Sequence, residues 1–329
     1  MGYRYFTNNY ARTKILIWLI LFACLTSSLF AETIILKSGK KIEGKITLKT
    51  NKYLRIDFIG VPLTYHFDEV ESIDGIKVIS YDEMANNATE EYQAYLENNP
   101  DSAVAYNQRG VAYRMQGNHN DAIICFTKAI EINPQYAEAY LNRGLSYASS
   151  EIKKDEQALS DFNKSIELNP KDNFFAYSVR GDIYYEKSNY KQAILDLSHA
   201  IEVKPYDDMR VVVVHYKRGL AYAQEGNYDY AISDLNKVIA LDSQHVDAYY
   251  NLGLINDYKG DLDGAISNYS KGLEIDPNNG SIYYNRAIVY FLKKEYGKSR
   301  EDAHKAESLG AGSNPELLKK LKEALGRNN

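Results

Sequence analysis

The stretch that decides the fold is AYNQRGVAY, residues 105–113, because variants of it recur down the chain. AYLNRGLSY (139–147), AYSVRGDIY (176–184), VHYKRGLAY (214–222), AYYNLGLIN (248–256) and IYYNRAIVY (282–290) repeat its order of apolar, polar, basic and small residues. The seam glycines Gly110, Gly144, Gly181, Gly219 and Gly253 lie 34, 37, 38 and 34 residues apart, and Ala287 takes the place in the sixth copy. A period of that size marks a solenoid of helical hairpins, each burying its apolar face only against its neighbours.

Within a copy, Tyr106, Gly110 and Tyr113 fall at spacings of four and three and so share one helix face. Further on stands a small residue, Ala122, Ala158, Ala193, Ala231, Ala265 or Ser299, followed four positions later by Phe126, Phe162, Leu197, Leu235 or Tyr269 in the first five copies. Glycine on one helix and a methyl on the other let two antiparallel helices approach closely. Asn133, Asn169, Lys204 and Asp276 each precede a proline, which predicts that the second helices stop there.

This order of early aromatic, small residue, aromatic, alanine, aromatic and closing proline resembles the tetratricopeptide repeat (TPR) family over residues 103–313. The resemblance implies a mainly α protein, an α-α superhelix of six units. A half unit is expected in front, at Glu90–Pro100, so that the array spans 90–313. A capping helix is expected over 314–326, with Lys319, Lys320 and Lys322 outward.

The resemblance also places a partner-binding groove on the concave side, built by the first helices. Its candidate residues are Arg114, Asn142, Tyr216, Lys217, Tyr250, Asn251, Tyr284 and Asn285. Asparagines are suited to bond the backbone of an extended peptide, and tyrosines supply rigid contact area. Arg114 and Lys217 read as two isolated bases, so a partner ending in an acidic motif is not expected. The expected partner is a protein or peptide.

A second periodicity concerns charge. Arg143, Arg180, Arg218 and Arg286 stand just before the glycine position in copies whose second helix carries Asp161, Asp196, Asp234 and Asp302. The fifth copy has Leu252 and Asn268 instead, and the first sets Arg109 opposite Cys125. This predicts an ion pair inside each hairpin that has both residues.

Before the repeats, residues 32–75 alternate at period two, as in Ile42, Gly44, Ile46 and Leu48, with turn signals at Ser38-Gly39, Thr50-Asn51 and Gly60. They predict four or five short strands in a small all-β module resembling SH3-like or Sm-like domains, followed by a linker over 76–89. Seven bases lie between Lys37 and Arg55, whereas Asp57 to Asp74 holds five acids. The basic strands offer an alternative function, binding of a glycan or another acidic polymer, against the plainer reading of solvated lysines.

Residues 1–31 read as a secretory signal peptide: Arg4, Arg12 and Lys14 precede an apolar run from Ile15 to Leu25, with cleavage expected after Ala31. Retention as a membrane anchor through residues 15–31 and lipidation at Cys24 are the alternatives. The expected location is therefore the bacterial periplasm or cell envelope. Removing Arg4, Arg12 and Lys14 takes the formal charge from −5 to −8, which argues against nucleic acid as a partner. Cys125 is then the one remaining thiol, and no internal disulfide forms. The six histidines show no metal-ligand spacing, and no phosphate loop or nucleophile motif is present. The sequence predicts no enzyme, no metal and no cofactor.

Overall fold

The computed structural model describes residues 32–36, 41–49, 53–58, 61–66, 70–73, 76–77, 81–149, 151–171, 173–203, 209–311, 319–321 and 323–324. The signal segment with Cys24, Lys204 at the end of the third unit, and Lys322 lie outside the described residues. The chain divides into two bodies, Met1–Tyr95 with Met115–Gly117, and Leu96–Arg114 with Asn118–Asn329.

The first body holds β1 (Glu32–Leu36), β2 (Lys41–Lys49), β3 (Tyr53–Phe58), β4 (Val61–His66), β5 (Val70–Ile73) and β6 (Ile76–Lys77). They pair antiparallel in the order β4-β3-β2-β1-β5-β6. Register puts Leu54 opposite Tyr65, Ile56 opposite Leu63 and Phe58 opposite Val61. Ile34, in the central strand, is fully buried. Among the described residues β4 and β6 do not pair, and the SH3-like module expected from sequence is not shown.

Helix α1 (Tyr81–Asn98) begins inside the stretch read as a linker. Asn86-Asn87 looks like a break in the sequence, yet Ala85 beside it is fully buried and the segment is helical. Tertiary packing overrides the weak helix propensity of asparagine.

The second body is a run of helical hairpins. They are α2 (Ala103–Met115) with α3 (His119–Ile132), α4 (Ala137–Tyr147) with α5 (Asp155–Leu168), α6 (Phe174–Glu186) with α7 (Tyr190–Val203), α8 (Met209–Gln224) with α9 (Tyr228–Leu241), α10 (Val246–Tyr258) with α11 (Leu262–Ile275), and α12 (Gly280–Leu292) with α13 (Tyr296–Ser308). A Cβ added at Gly110 would stand 2.6 Å from the Phe126 ring, and one at Gly144 2.8 Å from Phe162, so the glycines are where the paired helices touch. Second helices end at Asn133, Asn169 and Asp276 as expected.

The turn inside each hairpin closes with one backbone bond, as in Asn118 N–H to Tyr113 O at 2.9 Å and Asp261 N–H to Asn256 O at 2.9 Å. Gly117 and Gly260 take the left-handed conformation these turns need, with φ of 76° and 79°. The two-residue insertion in the second hairpin is absorbed without losing that bond, since Lys154 N–H reaches Tyr147 O at 2.8 Å. At the far end Leu321 is buried against Ala287 and Ala303, while Lys319 and Lys320 face outward. That shields the last seam, as a solenoid end requires.

Candidate functional site

From the second hairpin onward, consecutive first helices (α4 to α6, α6 to α8, α8 to α10 and α10 to α12) approach one another, and consecutive second helices do not come comparably close. The first helices therefore line the inner side of the array. The residues that look into it stand three and two positions before the glycine and one after it, within about 100° of helix arc.

Three cross-links stitch this inner strip from hairpin to hairpin. Asn142 Nδ2 donates to Asn107 Oδ1 at 3.1 Å. Asn251 Nδ2 donates to Tyr216 Oη at 3.1 Å, and Asn285 Nδ2 to Tyr250 Oη at 3.1 Å. Both of the latter amides spend their second hydrogen on a carbonyl one turn back, Asp247 O at 2.7 Å and Ser281 O at 3.0 Å. The asparagines are thus not free donors for a guest, contrary to the sequence reading: their NH2 groups are committed within the array and only their oxygens are left as acceptors. Asn142 is itself buried, and its bonding partner Asn107 is fully buried.

Lys217 is not an isolated base either. Its ammonium meets Asp182 of the preceding hairpin at 2.9 Å. Burial lifts the Asp182 carboxyl above its ordinary value despite the pull of Lys217. Tyr216, Tyr250 and Tyr284 are half-buried along the strip. Burial, then the charge of Asp247, pushes the Tyr216 phenol up to about 12. The Tyr216 ring also packs on His245 with centroids 4.8 Å apart. Arg114 is half-buried on α2, away from Lys217, so the structure does not bring the two bases together.

The arginines lie on a different side of the first helices. Arg143 grips Asp161 through Nε and Nη2 at 2.7 and 2.8 Å. Arg180 with Asp196, Arg218 with Asp234, and Arg286 with Asp302 do the same, as the sequence predicts. The remaining Nη1 reaches back to the previous hairpin, to Thr127, Asn163, Ser198 and Ser270 respectively. One guanidinium therefore fixes both the geometry within a hairpin and the step to its neighbour. Burial alone would raise Asp234, but bonds from Arg218 and His215 outweigh it and hold the carboxyl below its ordinary value. In the first hairpin Arg109 Nε donates to Cys125 Sγ at 3.4 Å, and burial pushes that thiol up.

The glycan or acidic-polymer reading rests on the seven bases between Lys37 and Arg55, whose side chains lie outside the described residues.

Two profiles described as tetratricopeptide repeat match residues 103–136, and 137–172 with 176–207, and a profile described as TPR repeat matches 219–256 and 258–294. Together they cover just over half of the chain. No curated protein sequence matches it. Among solved structures, YrrB, described as a TPR protein with an unusual peptide-binding site, is 25% identical, with 60% of this chain and 97% of that one aligned at a TM-score of 0.52. PilF of Pseudomonas aeruginosa, 17% identical, aligns over 73% of this chain and 99% of its own at a TM-score of 0.52, and shares the fold. Six copies of one hairpin, glycine seams and repeat profiles along the array lead to one conclusion: the chain belongs to the tetratricopeptide repeat family.

Proposed function

We propose that this protein is an exported, non-catalytic scaffold whose repeats hold an extended segment of a protein partner along the inner strip of first helices. The observation that carries the reading is the approach of successive first helices, which leaves their inner arc lined by half-buried side chains and turned away from the second helices. The likeness to YrrB, described as having a peptide-binding site, supports it. Export is supported by the charged, then apolar, then small-residue layout of residues 1–31.

The test is a photo-crosslinking amino acid placed at Tyr250, on the strip, and at Leu195, an exposed position on a second helix. Cross-linking is done in intact cells of the native host, and the products are identified by mass spectrometry after cell fractionation. A partner trapped from Tyr250 and not from Leu195, in the envelope fraction, is the expected result. Equal trapping from both positions sinks the groove reading, and recovery of the protein in the cytosol sinks the export reading.

A further inference from the structure

The inner strip is nearly without net charge, and we propose that its partner segment presents uncharged apolar side chains rather than acidic or basic ones. The inference rests on the groove reading above and names the chemistry of its guest. The row one position beyond each seam glycine reads Val111, Leu145, Asp182, Leu220, Leu254 and Ile288. All are half-buried, and all but one are aliphatic. The exception, Asp182, is matched by Lys217 at 2.9 Å. In the two adjoining rows Lys217 is the only charged residue.

The polar groups of the strip point the same way. Asn251 and Asn285 have spent their N–H groups on tyrosine hydroxyls and backbone carbonyls, which leaves amide oxygens facing a guest. An amide oxygen accepts a backbone N–H from any extended segment and offers nothing special to a carboxylate. Toward the ends of the first helices the same arc carries exposed apolar side chains, Phe175 at 41% and Val213 at 50% on one rim, Tyr258 at 74% and Leu292 at 55% on the other. Charged residues return on those rims, as Glu138, Glu186, Asp247 and Arg210, whose guanidinium lies 5.3 Å from the Phe175 ring centroid. A charged guest laid over the middle of the strip would lose its hydration and gain no partner, because the one ion pair there is already closed.

The experiment measures fluorescence anisotropy of the full chain with three labelled peptides. One alternates leucine and serine around a single phenylalanine. In the other two the serines are replaced by glutamate or by lysine. The uncharged peptide is expected to bind about tenfold or more tightly than either charged one, with less than about a twofold change in Kd between low and high salt. Lys217→Met exposes the Asp182 carboxylate and is expected to improve the lysine peptide by about fivefold, narrowing the preference. Leu254→Glu is expected to weaken the uncharged peptide, and circular dichroism verifies that both variants are folded. Tighter or equal binding of a charged peptide, or a steep salt dependence, overturns this inference and leaves the groove standing. Failure of all three peptides to bind, or binding indifferent to Leu254→Glu, overturns the groove itself.

Discussion

Arg286 and Asp302 meet side by side, with Nε donating to Oδ2 at 2.6 Å and Nη2 to Oδ1 at 2.9 Å, while Nη1 of the same arginine reaches Ser270 of the hairpin before it at 2.9 Å. Both side chains are largely buried, at 16% and 9% exposure. Such a pair sets geometry, because its Coulomb gain is spent largely on dehydrating two charges. Removing one partner is a different matter.

Asp302→Asn is expected to cost about 3 kcal/mol, because it strands a buried guanidinium. Replacing both residues together, Arg286→Met with Asp302→Leu, is expected to cost about 1 kcal/mol or less. Urea unfolding of Arg286→Met, Asp302→Leu and the double variant reads the coupling directly. Additive losses would show that the contact is incidental.

Two seam glycines should answer the same substitution differently. An added methyl at Gly110 runs into the buried Phe126 ring at 2.6 Å, so Gly110→Ala is expected to destabilise by about 1–3 kcal/mol. At Gly219 the nearest atom is Asp234 Cβ at 3.3 Å, so the neighbour must give by only a few tenths of an ångström. There the better helix propensity of alanine is expected to leave Gly219→Ala neutral or up to about 1 kcal/mol more stable. Thermal melts of the two variants decide it, and similar losses would refute the close-approach account.

Tyr269 stands where the other hairpins place Phe126, Phe162, Leu197 and Leu235, and its hydroxyl is buried with no hydrogen-bond partner among the described residues. Tyr269→Phe removes an unpaid dehydration and is expected to stabilise the array by about 1 kcal/mol. The urea midpoint should rise with an unchanged slope. A loss of stability would mean that the hydroxyl has a role in the folded state.

Alkali should act through the same region. Tyr216 and Tyr269 both have phenols raised by burial above the ordinary value of 10.0, Tyr216 to about 12. Because the folded value lies above the unfolded one, their contribution to stability is complete below pH 10 and is lost as pH climbs toward 12. A tyrosinate absorbance titration of the folded protein should show a late-ionising class that merges with the rest in denaturant. Tyr216→Phe should reduce that class.

The hairpins, their seam glycines and the arginine pairs were legible in the sequence because each depends on residues at fixed offsets within one unit. Six copies put Arg143 and Asp161, or Arg286 and Asp302, in register without knowledge of neighbours. Contacts between units were harder to read. Asn251 with Tyr216, and Lys217 with Asp182, each span 35 residues and depend on how one hairpin leans on the next. Asn142 illustrates the cost: its offset matches that of Asn251, but its neighbour in space is Asn107 rather than a tyrosine, and it is buried. Helix α1 was missed across Tyr81–Thr89 because a pair of asparagines signals a break locally, and only packing around Ala85 says otherwise.

The fifth hairpin lacks the arginine, and Leu252 in its place is 3% exposed among Ala231, Leu235 and Val238 of the hairpin before it. That joint lacks the buried guanidinium contact that four others carry, and is crossed instead by the Asn251 to Tyr216 bond and the exposed Lys259–Asp229 pair. Apolar contact is non-directional and holds area without fixing an angle, so the step from the fourth to the fifth hairpin is where the array should bend most easily.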